Sequence, residues 1–296
     1  NRNVPAFYAR SPIPGRAPGG QSCASGPSRE ATREITALTT TYAGRLAANA
    51  TVPVRNSRWP ARLDVAQSVT GLLLALFMWG HMLFVSSILI SKDAMWTITK
   101  LFEGYFFFGR SYPWIVSVII GAVFALFIAH AGLALRKFPA NYRQYALFRH
   151  HMHGMKHEDT TLWYWQVITG FALFFLATAH LWWMITHPGD IGPHESSARV
   201  WGDHFWVLYL LLLFAVELHG GIGLYRLAVK WGVFEGKDAA ASRRKLRRVK
   251  WTITVFLIAL GLATLAAYVR IGMSPEVQAG ERYGPAWVAK PEEHEP

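Results

Sequence analysis

Residues 65–90 read VAQSVTGLLLALFMWGHMLFVSSILI, an apolar run with one histidine in its interior. A helix crosses a hydrocarbon core about 30 Å thick with roughly 20 residues at 1.5 Å rise each, so this run is long enough to span a bilayer. Four further runs of the same kind lie at residues 113–135, 163–186, 205–229 and 251–269. Their ends carry Trp and Tyr, among them Trp114, Trp163, Trp182, Trp206, Trp251 and Tyr268, as expected where amphipathic rings sit at headgroup level. The pattern predicts an all-α integral membrane bundle of five transmembrane helices.

Composition agrees. The 296 residues are 52% hydrophobic and 16% charged, and the mean hydropathy is +0.19, which argues against a soluble enzyme. Aromatics at 14% are too many for a disordered chain, and the 25 Gly follow no triplet period, which excludes a collagen-like rod. Cys23 is the only cysteine. Internal disulfides, thiolate zinc sites, cysteine-held iron–sulfur clusters and haem attachment through paired cysteines are therefore excluded, and a metal in this chain must be held by His or carboxylate. Neither a Gly-rich dinucleotide fingerprint nor a P-loop occurs in the sequence.

The net charge of +12 is explained by topology rather than by nucleic acid. Nine basic residues precede the first run, five separate the second from the third, and eight separate the fourth from the fifth. The opposite side holds three, one and three, with Arg226 inside the fourth run. The positive-inside rule then places the N-terminus in the cytoplasm and the C-terminus outside, and no nucleic-acid partner is expected. Residues 1–57, rich in Pro, Gly, Ser, Thr, Ala and Arg, are expected to be a disordered cytoplasmic extension. Residues 58–270 form the membrane domain and 271–296 a polar tail on the outer side.

Four of the runs hold one deep histidine each: His81, His130, His180 and His219. An imidazole in hydrocarbon is costly unless its nitrogens are engaged, so such residues face the bundle interior. Counting from the start of each run and reversing direction at each crossing places His81 and His180 in the outer half, His130 and His219 in the inner half. Two imidazoles facing each other across a bundle suit the axial positions of a haem iron and leave no open coordination site, which gives electron transfer rather than oxygen activation. Two haems at two levels would make an electron path, and with no donor or acceptor domain in the chain, a larger complex is expected. A haem-free transporter with a His and Glu proton relay, or a purely structural anchor, are the rival readings of the same residues. Glu217 is the only carboxylate deep in any run. It is a candidate proton carrier or a structural acid bonded to a neighbouring helix, and it lies about 200° around the helix from His219, turned from that residue's face.

The segments MWGHMLFVSSILI (78–90), FIAHAGLALRKFPANYRQY (127–145), EDTTLWYWQVITGFALFFLATAHL (158–181) and LLLFAVELHGGIGLYRLAVKWG (211–232) resemble the dihaem cytochrome b subunit of epsilonproteobacterial quinol:fumarate reductase, over about residues 60–272. The resemblance implies two haem b groups, the outer held by His81 and His180 and the inner by His130 and His219. It implies flavoprotein and iron–sulfur subunits on the cytoplasmic side of a bacterial inner membrane, menaquinol as the electron donor, and assembly as a dimer of heterotrimers. It carries Glu103, in the amphipathic stretch AMWTITKLFEGYFFFG (94–109), to the carboxylate of quinol oxidation, and Glu217 to a transmembrane proton route. It also places Gln67, Ser68, Trp163 and Lys230 near the propionates of the inner haem, and Arg199 and Tyr209 near those of the outer one. A succinate dehydrogenase that reduces menaquinone would use the same parts in reverse. The RHHMH run at 149–153 falls in an inner connection without a second ligand group and is read as a surface toward the iron–sulfur subunit.

Overall fold

The computed structural model describes residues 57–138, 141–154, 158–277, 280 and 282–288, together with 33, 36, 37 and 40. The chain divides into two units, residues 1–57 and 58–296. In the first unit, residues 33, 36, 37 and 40 are helical, and the Thr40 hydroxyl donates to the Thr36 carbonyl at 2.8 Å. The rest of the expected disordered extension lies outside the described residues.

In the second unit, α1 (Trp59–Val85) carries Pro60 in its first turn, where the fixed φ of proline suits a helix start. It passes into a 3-10 turn at Ser86–Leu89. Ser91 caps α2 (Lys92–Phe102), its hydroxyl accepting the Ala94 N–H at 2.9 Å. Then follow α3 (Tyr105–Phe108), α4 (Pro113–Leu135), α5 (Tyr142–Gly154), α6 (Glu158–Thr186), a 3-10 turn at Pro188–Asp190, α7 (Pro193–Trp201), α8 (Phe205–Trp231) and α9 (Ala239–Gly272). Among the described residues there is no strand. Five helices are long and apolar enough to cross a membrane: α1 with its 3-10 extension, α4, α6, α8 and α9. They contain the five runs predicted from sequence, except that Ile90 falls just past the end of the first. α9 begins twelve residues before its apolar run because Asp238 caps it, accepting from the Ala240 and Ala241 amides, and because the basic residues 243–250 are good helix formers. The RHHMH run lies on α5 rather than in a loop; the side chains of residues 151–153 lie outside the described residues.

Four spans close into a ring, with α1 on α4, α4 on α6, α6 on α8 and α8 back on α1, while α9 packs outside against α8 and touches α1. Lipid tails are as apolar as leucine, so membrane helices gain little from hiding apolar surface and associate where their backbones approach closely. Gly261 of α9 meets Leu213 and Met82 in this way, within a buried cluster of Met82, Leu213 and Leu257 that ties α9 to α8 and α1. Ser86 and Thr264 add a hydroxyl pair at 2.8 Å across the same seam. Leu83, Val118 and Phe256 are exposed and away from the space between the helices, the surface a hydrocarbon solvent requires.

At one end, called outer here after the charge distribution, α2, α3 and α7 form a layer over the ring. Ile88, Met95, Val200 and Tyr268 are its core. α7 is held between α2 and α9. The C-terminal residues 282–288 strap this layer: Arg282 donates to the Gly189 carbonyl at 2.6 Å, the Tyr283 hydroxyl donates to Asp93, and Trp287 packs edge-on to Trp96 at 5.3 Å.

Candidate functional site

The ring encloses a cavity of about 1270 Å³, above the roughly 300–1,000 Å³ usual for one ligand pocket. All four deep histidines line it, as do Gln67, Ser68, Trp163, Arg199, Tyr209, Lys230 and Glu217. Glu103 is not in that lining. Glu217 reaches it although it lies about 200° from His219, because Val216, Glu217, His219 and Gly220 all border the space and α8 presents a wide face to it.

The His81 and His180 ring centroids are 6.2 Å apart. Two imidazoles that each bring a nitrogen to about 2 Å from one metal hold their ring centroids roughly 6 Å apart, so the outer pair has the separation of opposed axial ligands. The inner pair is prepared differently. His219 Nδ1 lies 2.9 Å from the Gln166 carbonyl, which can only accept, so Nδ1 carries the proton and Nε2 keeps its lone pair. His130 Nδ1 lies 3.0 Å from Thr70 Oγ1. That hydroxyl already donates to the Ala66 carbonyl at 2.9 Å, so it accepts from Nδ1 and again leaves Nε2 bare. Such outer hydrogen bonds fix tautomer and ring orientation at metal-binding histidines. His180 Nδ1 is buried and has no hydrogen-bond partner.

Glycine makes room for the inner rings. A Cβ on Gly71 would lie 2.9 Å from His130 Cε1, and one on Gly170 would lie 3.0 Å from His219 Cε1. Gly71 and Gly170 each stand ten residues inward of His81 and His180, about 15 Å at helical rise, which sets the spacing between the two levels. The donor set, the two levels and the glycine-lined cavity fit two bis-imidazole iron porphyrins.

The polar lining divides between the two ends. Lys230 Nζ donates to Ser68 Oγ at 3.2 Å and, with Lys137, pairs with Asp64, tying the inner ends of α1, α4 and α8. These ions are a third to a half exposed, so each pair contributes at most about 1 kcal/mol. Gln67 Oε1 is buried without a partner. At the outer end Arg199 is 6% exposed and donates to Tyr209 Oη at 3.3 Å, the Asp190 carbonyl at 2.6 Å and Ser196 Oγ at 3.3 Å. Glu217 is 3% exposed and its Oε1 has no partner.

Glu103 is the C-cap of α2, and Gly104 follows at φ 77°, a left-handed turn that L side chains rarely adopt. The turn brings the Tyr112 amide onto the Glu103 carbonyl at 2.9 Å. The side chain is 1% exposed, with Oε2 2.5 Å from Lys100 Nζ. Sequence reasoning had not singled out Lys100, Asp64, Thr70, Thr169 or Gln166. A signal was present for three of them: Gln67, Thr70, Gly71 and His81 recur at identical spacing as Gln166, Thr169, Gly170 and His180. Each copy supplies one outer histidine and a Thr-Gly shelf for an inner histidine on another helix.

Residues 141–260 match the family model of the succinate dehydrogenase/fumarate reductase transmembrane subunit. The fumarate reductase cytochrome b subunit of Helicobacter pylori is 56% identical over 213 residues, 72% of this chain and 82% of that protein. The subunit of the same name from Wolinella succinogenes is 54% identical over 219 residues, 74% and 86% of the two chains. The chain belongs to the fumarate reductase cytochrome b subunit family. Within that family it is the membrane component of an oxidoreductase complex, and dicarboxylate chemistry is not to be sought among its own residues.

Proposed function

We propose that this chain is the dihaem anchor of a quinol:fumarate reductase, with menaquinol oxidised near the outer end and electrons delivered to an iron–sulfur subunit inside. His81 and His180 would hold an outer haem b, His130 and His219 an inner one. The single observation that carries the reading is the His81 and His180 rings with centroids 6.2 Å apart, sharing one cavity with His130 and His219, each of which is hydrogen-bonded through Nδ1. Bis-imidazole haems supply one-electron transfer without an open iron site. The relatives' names support haem b of some number and a flavoprotein and iron–sulfur partner.

The chain's own residues do the rest. Glu103 takes a proton from the quinol hydroxyl as electrons leave it, which its burial beside Lys100 suits. Arg199 with Tyr209 outside, and Lys230, Ser68, Gln67 and Trp163 inside, would hold the porphyrin carboxylates by charge-assisted hydrogen bonds. Glu217 moves protons across the low-dielectric interior. The basic residues before and at the start of α1, after α4 and in the first turns of α9 hold the N-terminus in the cytoplasm of a bacterial inner membrane, with the C-terminal strap outside. The relatives' names, fumarate reductase cytochrome b subunit, favour fumarate over succinate as the substrate of the complex. A b-type Soret band with two haems per chain is expected in the purified complex, and absence of haem would leave the proton-relay transporter standing in its place.

A further inference from the structure

Thr70 of α1 and Thr169 of α6 hold matching places in the Gln-x-x-Thr-Gly repeat, yet they are not equal partners to the two inner imidazoles. Each hydroxyl first serves its own helix. Thr70 Oγ1 shares its proton between the Ala66 and Gln67 carbonyls at 2.9 and 3.1 Å, and Thr169 Oγ1 between the Trp165 and Gln166 carbonyls at 2.8 and 3.2 Å. Toward the cavity each oxygen has only lone pairs left to offer.

In both copies the Nδ1–H of an inner histidine comes to this threonine and glutamine. For His219 the Gln166 carbonyl is the nearer acceptor, at 2.9 Å against 3.4 Å to Thr169 Oγ1. For His130 the Thr70 hydroxyl takes the bond at 3.0 Å, and the Gln67 carbonyl faces the same ring. Gly71 leaves the gap that lets the ring reach it: a Cβ there would lie 2.9 Å from His130 Cε1 and 3.5 Å from Nδ1. The outer level has no such arrangement at His180, whose Nδ1 is buried without a hydrogen-bond partner.

An Nδ1–H held by an oxygen makes the imidazole a stronger electron donor through Nε2. A stronger donor favours the oxidised over the reduced iron, so a hydrogen bond behind the axial ligand is one of the levers a protein has on haem potential. We propose that Thr70 is a positioning residue of the inner site: its hydroxyl fixes the His130 ring and, through it, holds down the midpoint potential of the inner haem. This rests on the assignment of a haem to His130 and His219. The site passes one electron at a time, no bond forms or breaks, and Nδ1 keeps its proton throughout.

The test is a potentiometric titration of the purified complex followed by haem absorbance, with the low-spin ferric electron paramagnetic resonance signals recorded beside it. Thr70→Val keeps the shape and removes the acceptor. In that variant the oxidised-to-reduced ratio of one haem at fixed poise is expected to fall about tenfold, a rise of about 59 mV for one electron, and one of the two resonance signals is expected to move. The other haem should match the wild type, and Thr70→Ser should restore both readings. Thr169→Val, with the Gln166 carbonyl still on His219, should shift the same haem by less. Wild-type potentials for both haems in Thr70→Val overturn the proposal, as does a Thr70→Ser protein that shifts as far as Thr70→Val. If Thr70→Val does not assemble, Thr70→Cys decides: a thiol is a weak acceptor, so the same rise is expected and its absence overturns the proposal. A wild-type complex without haem removes the reading of the site itself, whereas two haems unmoved by these substitutions remove only the role of Thr70.

Discussion

His219 shows how much of the site is set by single atoms. A backbone carbonyl fixes its protonated nitrogen, and Gly170 allows its ring to lie against α6. Neither feature costs the helix its own hydrogen bonds, because Nδ1 borrows the second lone pair of a carbonyl oxygen. Glu217, two residues away, has the opposite character: buried at 3%, with an oxygen that finds no donor. A structural acid would be bonded, and an ion left so in hydrocarbon is expensive, which favours a group that gains and loses a proton. Glu217→Gln keeps the shape and removes the acid. Turnover is expected to drop at least about tenfold, as for a lost proton-transfer group, with haem content unchanged. Full turnover with unaltered proton uptake would make Glu217 structural. The presence of Glu217 was plain in the sequence, but its place in the cavity lining was not, since angle around one helix says nothing of how wide a face its neighbours leave open.

Among the elements, the strap at 282–288 is the one sequence treated as featureless tail. Its polar composition is right for a surface, yet Arg282, Tyr283 and Trp287 each find a partner on the outer layer. Burial, then the hydrogen bond to Asp93 and that residue's charge, push the Tyr283 phenol from 10.0 up to about 12. A pKa raised by docking means the docked state holds the proton more tightly. Its contribution is complete below the free value near 10 and is lost as pH rises through about 12. Protease nicking within the strap is expected to rise across that interval in the wild type. Tyr283→Phe should be nicked more readily at neutral pH and show no such step; equal resistance of the two proteins would mean that the hydroxyl does not hold the strap. The Gln-x-x-Thr-Gly repeat of α1 and α6 belongs to this scale too. It escaped notice because the two copies differ at the apolar positions between, where membrane helices accept almost any large residue.

For the whole molecule, charge and cavity answer different questions. The nine, five and eight basic residues on alternate connections are the basis of the proposed orientation, and a chain with one cysteine makes that orientation easy to test. An impermeant maleimide should label Gly284→Cys in intact cells, in a Cys23→Ser background, while Cys23 of the unmodified chain should react only after the membrane is opened. The reverse pattern would invert the assigned sides. The sequence alone determined five apolar spans and carried the proposal of their direction and of two levels of histidine, because length, charge and helical rise are properties of a linear chain in a slab of fixed thickness. Tertiary structure decided the closed ring of α1, α4, α6 and α8, the acceptor for each inner imidazole's Nδ1–H, and the burial of the Glu103–Lys100 pair. Those depend on which faces of separate helices touch, and lipid, equally compatible with every apolar side chain, leaves no periodic mark in the sequence to say which they are.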